Sequence, residues 1–456
     1  MIDIAIIGNG AVGMNASIYL KTKLPKKKIT LFGNKEQKNS ASVASGAMLC
    51  PISEQRNFSK SKNLKFDNNF YYQKSCDSIK IYKSIQKKNN IKNLVQARGS
   101  IMFIQKEATP YEKKTYEFIK KKAKEKKKFK DIKKKNYKNF FKDAKFVEDC
   151  FIIKDEYILN TKLLFNFYKK EISRKKIEYL GFNIKKIRSR KKFIIIKDEK
   201  NIEYKAKKVI LAAGPETFNL LDKKYNLLNI FQGVGIALET NSQKRKKKEF
   251  KDYFVRTVSS IGTGCGFHFL QRDNQNAYVG AGNYLVSINK KSQNRLETAY
   301  WLTKFYKKLV TSRKFYKDHF DIVKGSRARA IDDFAMIGEL KKEKRIFIAT
   351  GLGRTGVSIS PKISNYIYLW HQGKKNKVLK FFAPDRKPNS FGTISEAKSY
   401  YIESIYSALK IHEMIKKDSD KLKKKLALQF DKKIKALNKK FRNYKTTLNP
   451  NFYHLI

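Results

Sequence analysis

The stretch IAIIGNGAVGMNASIYL, residues 4–20, decides how the N-terminal part of the chain folds. An apolar run leads into Gly8, Gly10 and Gly13, spaced as G-x-G-x-x-G, and a helical pattern follows. Glycines at this spacing permit a tight turn, a close approach of the backbone to a phosphate, and close packing of the helix on the strand. With a second apolar strand at 29–32, the stretch predicts a βαβ unit whose helix N-terminus binds a dinucleotide.

The acidic residue usual in such a unit is missing here. A carboxylate about 20 residues after the turn normally accepts hydrogen bonds from the ribose hydroxyls. In this chain the second strand is followed by Gly33-Asn34-Lys35-Glu36, where Asn34 is a weaker substitute and Glu36 comes late. The turn alone therefore does not identify the dinucleotide.

Two distant segments favour a flavin over a nicotinamide cofactor. VILAAG at 209–214 predicts a buried strand that ends in glycine, and IFIATGLGRTG at 346–356 predicts another that ends in a glycine-rich loop. A nicotinamide site is usually completed within one contiguous domain, whereas a flavin domain is assembled from distant segments. Backbone N–H groups around Gly353 and Gly356 suit the negative charge that develops on a reduced flavin ring.

Four parts of the chain resemble the FAD-dependent amino-acid oxidoreductases of the D-amino-acid oxidase superfamily, most of all its glycine oxidase and sarcosine oxidase branch. They are the opening stretch, ASVASGAML at 41–49, VILAAGPET at 209–217, and the pair GSRARAIDDFAMIG at 325–338 and IFIATGLGRTGVSISP at 346–361. The likeness spans roughly residues 1–386. It implies FAD-dependent oxidation of the C–N bond of a small amine or amino acid, by hydride transfer to flavin N5.

The resemblance also implies which residues hold the cofactor. Asn34 joins this set because it follows the second strand, where the usual carboxylate is missing. The FAD-binding candidates are Gly8, Gly10, Ala11, Val12, Gly13, Asn34, Ser42, Ser45, Gly46, Ala47, Met48, Gly214, Gly351, Gly353, Arg354, Thr355 and Gly356. No cysteine lies near Ile331 or just before Gly351, so we expect the FAD to be bound non-covalently.

Arg327, Arg354 and His268 are the candidate catalytic residues. Arg327 matches the family's arginine that pairs with the substrate carboxylate, a task that suits a planar, bidentate guanidinium. The alternative for Arg327 is a structural ion pair with Asp332 or Asp333. For Arg354 the alternative is that only its backbone matters, and for His268 it is a purely structural role rather than orienting substrate or acting as a base.

The charge, the cysteines and the apolar runs of the sequence limit which partners and which cellular location we expect. The 456 residues carry a formal net charge of +62, from scattered lysines that indicate either solvated surface or, less favoured, a nucleic-acid or anionic-membrane partner. The four cysteines, Cys50, Cys76, Cys150 and Cys265, lie far apart without metal-ligand spacing, which favours a reducing cytoplasmic location and no metal site. No apolar run is long enough to predict a transmembrane helix.

The predicted fold class is α/β. We expect a three-layer FAD-binding Rossmann-like domain from residues 1–50, 145–225 and 325–386, intertwined with a mixed or antiparallel β-sheet substrate domain from 51–144 and 226–324. The second domain includes a Lys-rich helical excursion at 111–145, and residues 387–456 are expected to form a basic helical tail.

Two other functions stay open at this point. One is a flavoenzyme of the same fold that acts on a hydroxy acid, a sugar-derived compound or a tRNA base. The other is a flavoprotein that docks on a membrane or a polyanion and has little catalytic activity. The sequence leaves the electron acceptor open, whether oxygen or another oxidant.

Overall fold

The structure is a computed structural model that describes residues 1–37, 40–241, 252–258, 266–272, 276–310, 315–411, 414–415, 419–440 and 447–455. Cys265 lies outside these residues. The α-helices of the described residues are α1 (Ala11–Lys23), α2 (Lys62–Lys88), α3 (Pro110–Glu125), α4 (Thr161–Arg174), α5 (Leu296–Leu309), α6 (Gly356–His371), α7 (Lys377–Phe381), α8 (Ile394–Ile411) and α9 (Asp420–Lys440).

The first sheet has eight strands in the order β10-β11-β12-β1-β2-β9, with β19 beside β12 and β18 beside β19. Its strands are β1 (Ile2–Ile7), β2 (Ile29–Phe32), β9 (Glu178–Leu180), β10 (Ile184–Ser189), β11 (Ile194–Asp198), β12 (Glu203–Leu211), β18 (Met336–Leu340) and β19 (Glu343–Thr350). The centre is parallel: β1 pairs with both β2 and β12, and β12 pairs with β19. The strand predicted at 209–214 ends at Leu211 and forms the C-terminal part of a longer strand, β12, which begins at Glu203.

Strand β1 shows why this part of the chain forms three layers. Ile4 and Ile6 pack into the hydrophobic core shared with α1 and α6, whereas Ile2, Ala5 and Ile7 pack into a second core on the opposite face. A parallel strand that is buried on both faces needs a continuous apolar run, which residues 2–7 supply. The predicted α/β fold class is confirmed.

The second sheet also has eight strands, in the order β17-β13-β16-β15-β14-β5-β7-β6. They are β5 (Gly99–Gln105), β6 (Phe129–Asp131), β7 (Val147–Lys154), β13 (Ile230–Asn241), β14 (Tyr253–Arg256), β15 (His268–Gln271), β16 (Asn276–Val286) and β17 (His319–Ala330). All pairs are antiparallel except β14 with β5, so the sheet is mixed. A small third sheet joins β3 (Met48–Leu49), β8 (Tyr157–Leu159) and β4 (Val95–Gln96).

The domain boundaries stay a prediction. Two segments that we assigned to the FAD-binding domain, residues 147–154 and 325–330, lie in the second sheet. Residues 147–154 form β7 and pair with β5, so they lie in the second sheet rather than with the βαβ unit. Residues 325–330 belong to β17 of that same sheet. The Lys-rich excursion is α-helical over α3, which buries Tyr116, Ile119 and Ala123 against the second sheet, and it also contains a short 3-10 helix at Lys134–Asn139.

The C-terminal residues form part of a core rather than an appended tail. Phe391, Tyr400, Phe430 and Phe452 are each at most 3% exposed and pack into the same core as β10, β11 and β18. The expectation of a basic helical tail at 387–456 is right about the helices α8 and α9 but misses this packing, because the core that their apolar faces join is built from strands far away in the sequence. None of the helices formed by the described residues combines the length and apolar character that crossing a bilayer requires.

Candidate active site

The first glycine turn is shaped by three glycines with different constraints. Gly8 has a φ of +108°, and a Cβ there would lie 2.3 Å from the carbonyl oxygen of Ala212, which directly follows β12. A Cβ on Gly13 would lie 1.8 Å from the oxygen of Gly8. A Cβ on Gly10, in contrast, would meet only the Ser42 hydroxyl, at a tight 3.1 Å but with a side chain that can rotate away.

Two helix N-termini meet at this site without caps of their own. Gly10 and Thr355 precede α1 and α6, neither makes a side-chain cap, and neither helix has an acidic residue in its first turn. The N-termini of α2, α3 and α4 are instead capped by Ser61, Thr109 and Asn160. A helix N-terminus carries partial positive charge and N–H groups that have no partner within the helix, so both ends fit an anionic or electron-rich ligand.

The loop of residues 41–48 passes between these two helix ends. The Ala11 N–H donates to Ser42 Oγ at 3.1 Å, and Ser358 Oγ of α6 donates to the Met48 carbonyl at 3.0 Å. On the other side, Tyr278 and Arg272 of the second sheet donate to the carbonyls of residues 44 and 45 at 2.9 and 3.1 Å. The loop is therefore fixed against both sheets.

At the end of β2, an asparagine pair occupies the region where the carboxylate is missing. Asn9 Nδ2 donates to the Asn34 carbonyl and to the Tyr179 hydroxyl, both at 2.6 Å. The Asn34 side-chain oxygen accepts from the Glu36 N–H at 3.0 Å. Asn9 was not among the predicted site residues, although it stands between two of the glycines.

The second glycine-rich loop follows β19. Gly351 and Gly353 have φ angles of +68° and +52°, which favour glycine. A Cβ on Gly353 would lie 3.3 Å from Cδ of Arg329, so the loop rests on that side chain. Gly214, after β12, has a φ of +58° with open space beside it, and its carbonyl accepts from Thr350 Oγ1 at 2.8 Å.

A cavity of about 100 Å³ joins the loop of residues 41–48 to the second sheet. The residues lining it include Ser42, Ser45, Gly46, Ala47, Met48, Glu54, His268, Tyr278, Asn283, Arg327, Gly353, Arg354 and Gly356. Gly351 and Thr355 line an adjoining cavity of about 60 Å³. Gly8, Gly10, Ala11, Val12, Gly13, Asn34 and Gly214 lie outside both. An elongated dinucleotide with one end in the cavity fits this arrangement.

A larger cavity of about 400 Å³ lies between β5 and α5, and no glycine-rich loop lines it.

Arg327 lies on β17 and lines the cavity. Gly235 on β13 leaves room for its guanidinium, since a Cβ there would be 3.2 Å from Nη2, and Nη2 donates to Asn283 Oδ1 on β16. The alternative ion pairs expected from the sequence are not the ones formed. Asp332 pairs with Arg386, and the Asp333 carboxylate lies between two other arginines, Arg56 and Arg329.

Arg354 belongs to a buried charge cluster that the sequence did not reveal. Glu54, whose side chain is 5% exposed, lies 3.1 Å from Arg354 Nε and 2.8 Å from Arg256 Nη2. Burial raises the pKa of Glu54, but Arg354 and Arg256 lower it more, so the net shift is downward and the carboxylate is charged. Glu54 therefore holds the Arg354 side chain at the edge of the cavity.

His268 is held as a neutral imidazole. It is 2% exposed and stacks on Tyr278 with 5.7 Å between the ring centroids. Burial, together with the nearby Arg256, lowers the pKa of His268 to about 3. Gly46 and Gly280 leave room around Nε2, where their Cβ atoms would lie 3.3 and 2.4 Å away. At neutral pH the ring can accept or donate a hydrogen bond but carries no charge.

Comparison with known proteins agrees with these features. Residues 3–367 match the family described as FAD dependent oxidoreductase. Among solved structures, glycine oxidase from Geobacillus kaustophilus is similar with a TM-score of 0.69 and 15% identity, covering 84% of this chain and 98% of that one. Iminodiacetate oxidase from Chelativorans sp. BNC1 is similar with a TM-score of 0.67 and 12% identity, covering 84% of this chain and 98% of that one. L-α-glycerophosphate oxidase from Mycoplasma pneumoniae, with FAD bound, is similar with a TM-score of 0.63 and 15% identity, covering 82% of this chain and 96% of that one.

A comparison with curated protein sequences finds no match. At these identities the similar structures establish the fold, and the family match over most of the chain establishes the class of enzyme and its cofactor. The glycine turns and the two uncapped helix ends fit that cofactor. The chain therefore belongs to the FAD-dependent oxidoreductase family named after D-amino-acid oxidase, and FAD is its cofactor.

Proposed function

We propose that this enzyme oxidises the C–N bond of a small amine or amino acid, and that Arg327 binds the substrate carboxylate. The observation that carries the proposal is the position of Arg327, whose guanidinium lines the same cavity as Gly353 and Gly356 at the N-terminus of α6. A carboxylate on this guanidinium brings the substrate Cα–H toward a flavin ring that α6 faces. The structures of glycine oxidase and iminodiacetate oxidase support the choice of substrate class.

In this proposal the glycine loops hold the cofactor. Gly8, Gly10 and Gly13, with the N–H groups of Ala11 and Val12, receive the pyrophosphate at the N-terminus of α1. Asn34 and Gly214 lie along the adenosine half. The loop of residues 42–48 and the segment of residues 351–356 enclose the flavin. FAD, when bound, supplies the hydride acceptor.

The remaining side chains bind and orient the substrate. Asn283 accepts from Arg327 Nη2 and so fixes the plane of the guanidinium fork. His268, being neutral, can hydrogen-bond to an amine that arrives uncharged, and no protein base is then needed for hydride transfer. Glu54 restrains Arg354 by their 3.1 Å ion pair, which keeps a second guanidinium beside the reacting atoms.

The central experiment is anaerobic reduction of the bound flavin by a panel of substrates. Amino acids and secondary amines should bleach the flavin absorbance, and the matching hydroxy acids should not. Bleaching by hydroxy acids or L-α-glycerophosphate alone would establish the alternative, C–O oxidation, which the similarity to L-α-glycerophosphate oxidase favours. Intact bound FAD that no amine reduces would refute the proposal.

Arg327→Ala and Arg327→Lys test the carboxylate site. Losing two charge-assisted hydrogen bonds costs about 3–6 kcal/mol, so Arg327→Ala should raise KM for a carboxylate substrate by about 100-fold or more. Arg327→Lys should recover part of this because it keeps the charge without the fork. An amine that lacks a carboxylate is the control, since its KM should change little. An unchanged KM for the carboxylate substrate would refute the role.

The non-covalent attachment, the location and the acceptor are further parts of the proposal. The residue before Gly351 is Thr350, which offers no thiol, so acid precipitation should release free FAD into the supernatant. We place the enzyme in the cytoplasm because Cys50, Cys76 and Cys150 are free thiols.

Peroxide formation during aerobic turnover would identify oxygen as the acceptor. Loss of RNA and liposome binding at physiological salt would identify the lysines as solvated surface.

A further inference from the structure

We propose that the C-terminal extension, residues 384–455, positions the flavin-facing loop and thereby sets the affinity for FAD. The extension lies beyond the residues that match the family, which end at 367. The inference rests on the proposed placement of the flavin beside residues 351–356. Two chains of contacts connect the extension to that loop through the turn of residues 331–336.

The first chain of contacts begins in the extension with a pair of stacked aromatic rings. Phe391 of the extension stacks on Phe58, with 4.9 Å between ring centroids and 13° between the ring planes. The Arg56 guanidinium lies between two rings, 5.1 Å from the centroid of Phe58 and 5.2 Å from that of Phe334. Both contacts are within the range of a cation–π interaction. The position of Arg56 therefore depends on a ring that the extension holds in place.

Arg56 carries this restraint to the turn. Its Nη1 donates to the carbonyl and carboxylate oxygens of Asp333 at 2.8 and 2.9 Å, and its Nη2 pairs with Asp67 at 2.7 Å. The other oxygen of Asp333 lies 2.5 Å from Arg329 Nη2. Arg329 in turn supports Gly353, whose Cβ position is 3.3 Å from its Cδ.

The second chain of contacts begins where the extension begins. Arg386 binds both carboxylate oxygens of Asp332 at 2.8 and 2.9 Å, and the Asn389 N–H donates to the same carboxylate at 2.9 Å. Arg386 also donates to the carbonyls of Phe334 and Ala335, at 3.2 and 3.0 Å. The turn is thus held by Arg386 through Asp332, and by Arg56 and Arg329 through Asp333.

The turn lies directly against the flavin-facing loop. A Cβ on Gly351 would be 3.2 Å from the Met336 nitrogen and 3.5 Å from the Phe334 oxygen. Side chains of Asp332 and Asp333 are almost fully buried, so their ion pairs have few alternative arrangements. A displaced turn therefore displaces the loop, and with it the backbone groups proposed to face the flavin.

Phe391→Leu tests this, with Phe430→Leu as the matched control. Both phenylalanines are at most 1% exposed and lie in the extension, but the ring contacts of Phe430 are with Tyr401 and Tyr453, not with Phe58. Both variants should lower the Tm of the apoprotein to a similar extent. Only Phe391→Leu should raise the Kd for FAD, by about tenfold, and change the visible circular dichroism of the bound flavin. Phe430→Leu should stay within about twofold of the wild-type Kd.

Equal effects of the two variants on the FAD Kd, or no effect of Phe391→Leu, would overturn the inference. If Phe391→Leu fails to fold, Arg386→Lys replaces it, since lysine keeps the charge and loses the fork on Asp332. The same rise in Kd is expected, and an unchanged Kd overturns the inference. Failure of the wild-type chain to bind FAD overturns both this inference and the proposed site. FAD binding without bleaching by any amine overturns only the proposed substrate.

Discussion

Alanine substitutions at Gly10 and Gly13 should separate cofactor binding from folding. The two glycines belong to one motif, but the structure gives them different surroundings. At Gly10 the φ of −72° is open to alanine, and the only nearby atom is the rotatable Ser42 hydroxyl at 3.1 Å. At Gly13 a Cβ would lie 1.8 Å from a backbone oxygen of Gly8, which cannot move without breaking the turn.

The expected magnitudes follow from these distances. Gly10→Ala should reduce the free energy of unfolding of the apoprotein by only about 1 kcal/mol, the difference between glycine and alanine at a helix N-cap. It should weaken FAD binding by about 2–3 kcal/mol, or about 30–150-fold, because the new methyl group keeps the pyrophosphate from the N–H groups of α1. Gly13→Ala should not yield a folded protein at all, because the overlap is with backbone.

The assay combines thermal unfolding of the apoproteins with FAD titration followed by flavin fluorescence. Gly10→Ser is a second variant, in which a longer side chain at the same open position should weaken FAD binding at least as much. Wild-type FAD affinity in Gly10→Ala would contradict the placement of the pyrophosphate at α1. A Gly13→Ala protein with normal Tm would show that the turn is less tightly packed than the structure indicates.

Three further outcomes are expected. Glu54→Gln should cost about 3–5 kcal/mol of unfolding free energy in urea titrations, because it leaves Arg256 and Arg354 buried without their shared carboxylate. The surface pair Lys113–Glu148 is the control, since Glu148→Gln should cost less than about 0.5 kcal/mol. Burial, with Arg256, lowers the pKa of His268 to about 3, below an unfolded value of about 6.5, so protons favour the unfolded chain. Unfolding free energy should therefore fall as pH drops from about 6.5 toward 3, and less steeply in His268→Gln; equal slopes would contradict a neutral buried ring. Asn34→Asp should tighten FAD binding by about 1 kcal/mol, roughly fivefold, by supplying the missing acceptor, whereas weaker binding would place the ribose elsewhere.

Local patterns predicted the parts of this protein whose determinants lie close together in sequence. The strand before Gly8 and the helix after it follow from apolar periodicity and glycine spacing. The fold class, the family and the cofactor followed because several such patterns occur in a recognisable order. The roles given to Arg327, Arg354 and His268 stay predictions.

Long-range partners could not be predicted in this way. Glu54 looks like one more polar loop residue, and only the folded chain brings it between Arg256 and Arg354. Asp332 and Asp333 were offered as partners for Arg327, but an arginine's partner depends on which strands and turns meet, and these carboxylates bind Arg386, Arg56 and Arg329 instead. Residues 387–456 were expected to form a basic helical tail, and the packing of α8 and α9 into a core could not be predicted because their partners lie far away in the sequence.

The order of the strands in the first sheet also dictates when the enzyme can become active during its synthesis. Strand β1 leaves the ribosome first, but its second neighbour, β12, is made only at residues 203–211, and β19 only at 343–350. Until then β1 and β2 have an unpaired apolar edge, which is open to association with other chains. The glycine-rich loop of residues 351–356 is made later still, so a nascent chain cannot gain stability from FAD before these residues have been synthesised.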